Sequence, residues 1–511
     1  MVWILWCACV RSLDMRFHSF AGVSCYEVQK DSKIQSVLML IFLFCTYGCS
    51  STDNVSNDDT LAYPELDVER LEGEHTIVGE ARFDLLGQRI AANGDANGNG
   101  KRDLLVSAFR SDAYAMGGGK IYLFSDIEDN MQSLSLDDAS TLAGELYGGC
   151  AGASLTFLQD WNGDQKDEIV IGAPCVNRVY IVLGGMVDEH FSLEDAEYRL
   201  FGESVEDFFG WSVADVGDVN GDGRADLLIG ADGSNSNGEG AGSTYLIWDA
   251  LPNDPSISIT DVAIEYRGNE QDMSGGAIAG VGDTDGDGLA DFVIGAAGSV
   301  DNGEGAGKIY HMVGESGLSY SSIDLEDRAN IILGAAGTEL GTSIAQAGDI
   351  DGDGRSDIIL GAPSRSQTAE MVGHAYVFGG ATITSYQDTE KADITIEGLA
   401  INDHTGVSIA SAVDFDHDEQ LDVVVGAPDL YRRERTGTVL FFSGAELQEG
   451  GHFDWSAATY VWHGEQAGDL MGSQIVSIPH SLDGTSMFLA GAPGYDGAHR
   501  DQGAMYVLSF P

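Results

Sequence analysis

The sequence is short of proline, of basic residues and, beyond residue 49, of cysteine. Nine prolines stand against 68 glycines, a composition that suits many short strands joined by tight turns and gives poor material for long helices. Lys and Arg number 25 against 82 Asp and Glu, a formal charge of −57. Such a chain repels phosphate backbones, which excludes nucleic acid as a partner and excludes polybasic docking on a membrane. Its natural partners are cations. No nucleophile elbow, no phosphate-cradling glycine loop before a helix and no His-Glu-x-x-His helix occur. Long apolar runs are missing too, apart from residues 36–48 (SVLMLIFLFCTYG), which are too few for a comfortable membrane span.

That run follows Lys30 and Lys33 and precedes Cys49 and a polar tract, the layout of a secretory signal peptide. Residues 1–48 therefore read as an address; their length ahead of the apolar run leaves a start downstream of Met1 open. The Gly48-Cys49-Ser50 junction resembles a bacterial lipoprotein cleavage site, at which Cys49 becomes the lipidated first residue. Thr46 and Tyr47 depart from that pattern and leave simple secretion open. The expected setting is extracytoplasmic: secreted, or held at the cell surface or outer membrane through a lipid anchor. Residues 49–73 are acidic and lack apolar periodicity, and read as a flexible tether. In the rest of the chain only Cys150 and Cys175 are left. Export allows them to pair, and a disulfide and two buried thiols both fit the spacing.

What the chain does contain is a repeat. DVNGDGRADLLIGAD from Asp218 recurs as DTDGDGLADFVIGAA from Asp283, DIDGDGRSDIILGAP from Asp349 and DFDHDEQLDVVVGAP from Asp414, with earlier copies from Asp95 and Asp160. Successive starts are 65, 58, 65, 66 and 65 residues apart, a structural period. A seventh unit near residues 477–493 keeps the apolar strand and its Gly-Ala-Pro ending and has lost the acidic loop. Each unit holds four short strands, which matches a propeller blade. The runs after the loop (LLIG, FVIG, IILG, VVVG) are apolar throughout, as expected of strands covered on both faces by neighbouring blades. The last unit ends on its third strand, 504–510, whereas HTIVGE at residues 75–80 has the form of a fourth strand and precedes the first unit. The expected fold is all-β: a seven-bladed propeller of four-stranded blades over residues 74–511, closed by an N-terminal strand that completes the last blade and removes exposed edges.

These units resemble the FG-GAP repeats of integrin α-subunit propellers and their bacterial relatives. Phe209-Gly210 opens the third unit, and Gly-Ala-Pro closes units at Gly172, Gly361, Gly426 and Gly491; elsewhere the opening pair has drifted to Leu86-Gly87, Leu340-Gly341 and Met471-Gly472. The resemblance implies a seven-bladed propeller with calcium in loops on its lower rim and roles in adhesion or ligand recognition. It does not imply an integrin heterodimer, because leg domains and a C-terminal span are lacking.

The acidic loops carry the chemistry. Calcium takes six to eight oxygen ligands, and carboxylates on alternate residues of a sharply turning loop converge on one point. In the fourth unit Asp283, Asp285, Asp287 and Asp291 offer side-chain oxygens, Leu289 a backbone carbonyl and Gly288 the turn. The fifth offers Asp349, Asp351, Asp353, Asp357 and the carbonyl of Arg355; the third offers Asp218, Asn220, Asp222, Asp226 and Arg224. Three loops read as weaker: the first (Asp95, Asn97, Asn99, Lys101, Asp103) through its two amides, the second (Asp160, Asn162, Asp164, Lys166, Glu168) through Gln165 at a glycine position, and the sixth (Asp414, Asp416, Asp418, Gln420, Asp422) through His417 and Glu419. With no His or Cys among the ligands, zinc and copper are disfavoured. Up to six calcium ions are expected, in a structural role that couples binding to folding; a metal-free Asp/Gly turn is the bland alternative.

Histidines such as His311, His374, His404 and His463 fall in different units and read as strand or loop residues, so no catalytic residue is expected. Insertions at 232–242 and 298–307 should lie on the face opposite the calcium loops, where a protein or glycan ligand is expected to bind a monomeric propeller. A propeller-based enzyme, such as a polysaccharide lyase or lipid hydrolase, and a purely structural envelope protein are the alternatives, between which fold alone does not choose.

Overall fold

The computed structural model of the chain describes residues 75–127, 133–317, 319, 321–364, 372–383, 386–398, 403–429, 435–448, 450–478 and 487–509. The signal-like run, Cys49 and the tether at 49–73 lie outside these residues.

The fold follows from how much of each repeat is apolar. In the fourth unit the run after the acidic loop, Asp291–Ala296, is buried at every residue, as is the glycine-led run Lys308–Met312. A strand buried on both faces sits in the middle of a sheet, and these are the second and third strands of a blade. Ile278–Gly282 pairs inside them and Asn330–Leu333 outside, all antiparallel. The same meander recurs in seven sheets. The seventh consists of Gln474–Ile478, Met487–Ala492 and Ala504–Ser509. Its fourth strand is His75–Val78, antiparallel to the last strand with Thr76 opposite Tyr506. The ring is thus closed by the N-terminal strand.

Blades 1 to 5 depart from the four-stranded expectation. Each carries a short fifth strand, parallel to its fourth and supplied by the following blade: His190–Ser192 on Ser140–Ala143, Ser256–Ser258 on Tyr198–Phe201, Ser322–Asp324 on Ile264–Arg267, Tyr386–Asp388 on Asn330–Leu333, and Gly451–Asp454 on Ile394–Glu397. The reason is the outer edge, whose N–H and C=O groups otherwise face solvent unpaired. Segments of three or four residues are too short to show a period-two pattern, which hides them in the sequence.

Among the described residues the core is a set of seven apolar clusters, one at each interface between adjacent blades. At the interface of blades 2 and 3, Phe209 is fully buried and meets Tyr245 edge-on at 5.7 Å; burying such a ring contributes about 1.5–3 kcal/mol.

Backbone contacts tighten the same seams. A Cβ on Gly230 would strike the carbonyl of Gly275 in the next blade, and Gly275 itself has φ +87°, a conformation that favours glycine. Ser212 Oγ donates to that same carbonyl at 2.7 Å, and Ser343 and Ser408 repeat the bond to Gly406 and Gly472. The recurring glycines of the repeat are therefore points of blade-to-blade contact.

Candidate metal centres and the opposite face

Each acidic loop joins the first strand of a blade to the second and is wound by its first aspartate. In loop 4, Asp283 Oδ1 accepts from the backbone N–H groups of Gly286 (2.7 Å) and Asp287 (3.2 Å), while Oδ2 accepts from Gly288 N–H (2.9 Å). Asp285 and Asp287 accept in turn from the N–H groups two residues on. Asp95, Asp218 and Asp414 wind their loops in the same way. In loop 2 Asp160 Oδ1 accepts from Gln165 N–H at 2.8 Å, and Gln165 takes the left-handed φ of +68° that the turn demands. Loop 6 does likewise with His417 at +62° and Glu419 at +70°. These non-glycine residues hold the turn at a conformational cost of order 1 kcal/mol each.

The last carboxylate of each loop is a buried clamp. Asp103, Glu168, Asp226, Asp291, Asp357 and Asp422 are all at most 1% exposed. One oxygen accepts the N–H of the second loop residue: Ala96, Trp161, Val219, Thr284, Ile350 or Phe415. In four loops the other oxygen accepts an N–H beyond the third strand, from Asp126, Gly314, Gly380 or Gly444. Burial pushes these acids up, to about 7 for Glu168, Asp226 and Asp422 and about 6 for Asp103 and Asp357. A cation at the loop would offset that cost.

Side-chain oxygens of Asp283, Asp285 and Asp291 lie within 4.8 Å of one another, as do those of Asp349, Asp351 and Asp353, and those of Asp414, Asp416 and Asp422. Loop 6 thus brings three carboxylates together as loops 4 and 5 do. In loops 1 to 3, no such trio forms among the described residues, because amides stand in the ring and bond to its carboxylates: Asn162 Nδ2 donates to Glu168 Oε1 at 2.7 Å and Asn220 Nδ2 to Asp226 Oδ1 at 3.3 Å. The residues expected to offer carbonyls, Lys101, Lys166, Arg224, Leu289, Arg355 and Gln420, all donate their N–H to the side chain two residues before.

Two acids that the loop pattern does not contain also face these sites. Asp126, beyond the third strand of blade 1, accepts from Asn97 and Asn99, and the Asn99 amide, with Asn97, holds it below the usual carboxylate range. Asp393 accepts from Gly379 N–H and Thr382 Oγ1 and, after burial, helps push the carboxyl of nearby Asp351 above the usual carboxylate range. Asp126 lies 23 residues beyond Asp103, and Asp393 lies farther still from its loop, so no local spacing marks them.

Whether the loops suit a cation is tested by one atom. Asp349 Oδ1 is buried and has no hydrogen-bond partner among the described residues. A buried carboxylate oxygen left without a donor is costly, and with oxygen donors alone around it the fitting partner is a hard divalent cation.

The connections between second and third strands lie at the other end of the blades. Residues 232–242 and 298–307 are there, and both are pinned: Asn237 Nδ2 donates to Gly268 O at 2.9 Å, Asn302 Nδ2 to Gly334 O at 2.8 Å, and Met273 N–H to Gly240 O at 2.8 Å. Beneath them Lys308, with a fully buried side chain, lies 2.7 Å from Asp301 and Glu326 and 3.2 Å from Asp272. At the same end Cys150 and Cys175 form a disulfide across the hairpin of blade 2, with Cα atoms 5.7 Å apart.

Compared with models of protein families, residues 209–247, 275–312 and 340–378 match the FG-GAP repeat. Each span holds one acidic loop and runs through the third strand of blade 3, 4 or 5. Blades 3, 4 and 5 thus carry FG-GAP repeats.

This FG-GAP propeller is integrin-α-like in sequence. It is 33% identical to integrin alpha-IIb of Homo sapiens over 252 residues, 47% of this chain and 22% of that protein. Identity to integrin alpha-PS2 of Drosophila melanogaster is 28% over 213 residues, 41% and 15% of the two chains. The phosphatidylinositol-glycan-specific phospholipase D of Homo sapiens is 26% identical over 221 residues, 42% and 26% of the two chains. The match thus spans about a quarter or less of each relative's own length.

The blades place these histidines in separate structural settings. His374 stacks on Tyr376 with centroids 5.6 Å apart, His463 bonds to Thr438 Oγ1, and His311 is buried between Thr284 and Asn330. No described helix is long and apolar enough to cross a membrane.

Proposed function

We propose that the chain is an extracytoplasmic recognition module: an FG-GAP propeller whose acidic loops bind calcium to fix the blades, and whose opposite face takes a protein or glycan ligand in adhesion. The observation that carries the metal part is the convergence of three carboxylates in each of loops 4, 5 and 6, joined by the orphaned Asp349 oxygen. Calcium matches the donor set because it accepts crowded, all-oxygen coordination, and binding that neutralises mutually repelling acids stabilises the folded ring. The pinned insertions support the recognition part, since loops held by side-chain amides present a fixed surface and lose little freedom on binding. Similarity to integrin α subunits favours adhesion over catalysis; the phospholipase relative makes lipid hydrolysis the reading to exclude by direct assay.

The test has two arms. Calcium calorimetry with thermal unfolding, with and without chelator, should show several bound ions and a chelator-sensitive rise in Tm; no heat and no shift would overturn the metal role. Binding of the calcium-loaded protein to cells, matrix proteins and glycan arrays should be saturable and should fall when 232–242 and 298–307 are deleted. Binding unchanged by the deletions would move the recognition surface elsewhere.

A further inference from the structure

Loop 4 differs from the other five in what stands behind its last carboxylate. Asp291 Oδ2 accepts not only Thr284 N–H (2.8 Å) but also the Thr284 hydroxyl. Thr284 Oγ1 lies 2.8 Å from His311 Nε2, and Asn330 Nδ2 lies 3.1 Å from His311 Nδ1. An amide nitrogen only donates, so Nδ1 is the bare nitrogen, Nε2 carries the proton and gives it to Thr284 Oγ1, and that hydroxyl is left to donate to Asp291. The imidazole is 2% exposed. The direction of every bond in the chain Asn330, His311, Thr284, Asp291 is therefore fixed.

The other blades fill the two middle positions with apolar side chains in a shared core cluster: Ala96 with Leu123, Trp161 with Ile181, Val219 with Leu246, Ile350 with Val377, and Phe415 with Phe441. Packing alone does not require a hydroxyl or an imidazole there. The pair costs desolvation of two polar groups in the core, and its evident return is the extra bond to Asp291.

We propose that His311 and Thr284 are positioning residues for a cation in loop 4 and make this the tightest of the calcium loops. The inference rests on the calcium reading given above. Outer-shell partners that orient a ligand typically change metal affinity by about 10–100-fold. Here the relay holds the Asp291 carboxylate in place before the ion arrives, so less freedom is lost on binding.

The experiment is calcium calorimetry on the full chain, with terbium luminescence as a second readout. D285N identifies the binding event that belongs to loop 4, which should be the tightest. The double variant T284V/H311L recreates the Val219 and Leu246 pair of blade 3, so it should fold; it should weaken that event by about tenfold and leave the others. T284S keeps the hydroxyl and should stay within about twofold of the parent, a difference of roughly 0.4 kcal/mol in binding. Melting of the calcium-free variants separates loss of fold from loss of positioning. A tightest event that survives D285N, or one that T284V/H311L leaves unmoved, overturns the inference alone. Absence of any calcium binding in the parent overturns the metal reading and this inference with it.

Discussion

Gln502 Nε2 donates a 2.6 Å hydrogen bond to the carbonyl of Gly79, across 423 residues of chain. Its Oε1 accepts from His499 N–H at 2.5 Å, and the Gly79 N–H donates to Gly503 O at 2.9 Å. One side chain thus fastens the first strand to the last loop where the ring closes. Gln502 is 4% exposed, so Gln502→Leu should leave the buried Gly79 carbonyl unpaired and free the His499 N–H. We expect a loss of about 1–3 kcal/mol in urea unfolding with the m-value unchanged. A loss below the error of the extrapolation would mean that the strand pairing alone carries closure.

The glycine contact between blades makes a second prediction. Gly230→Ala would push a methyl group into the Gly275 carbonyl and Ser212 Oγ. Neither is the far end of a flexible chain, so the blades must part. Overpacking of this kind costs about 1–3 kcal/mol, and a lowered Tm without change in the far-UV spectrum is the expected result. Full stability in the variant would show that the seam has slack.

A third prediction concerns pH. Burial pushes Asp84 and Asp469 up to about 6, and Asp226 and Asp422 up to about 7, against about 3.9 in an unfolded chain. A raised folded-state value means that the folded protein holds its protons longer. The stability so contributed is complete below the unfolded value and is lost as pH rises through about 6 to 7. The calcium-free protein should therefore melt higher at about pH 5 than at about pH 8. Saturating calcium should flatten the difference, because a cation favours the ionised carboxylates of the loops. A calcium-free Tm that rises with pH over this interval would contradict it.

Much of this molecule is legible along the chain. The spacing of Asp283, Asp285, Asp287 and Asp291 announces a turning acidic loop because its ligands are local, and its recurrence announces blades. The orphan fourth strand at His75–Val78 was legible for a related reason: the last unit lacks one, and the N-terminal segment matches its form. The fifth strands were not, since Ser256–Ser258 and its equivalents are too short for periodicity and belong to one blade by sequence and to another by pairing. Gln165 and Glu419 stand out as misfits in the sequence, and the backbone shows that they adopt the glycine conformation regardless.

By itself the sequence determined the repeat, its seven-fold closure and the oxygen-rich loops, because those depend on local turn chemistry and on which runs are apolar enough to need covering. Only the tertiary structure decided which groups far apart in the chain meet. Asp126 and Asp393 reach acidic loops distant in the chain, Cys150 finds Cys175, and His311 reaches Thr284 because adjacent strands bring their side chains together. Such contacts depend on strand register and blade packing, and no spacing along one repeat encodes them.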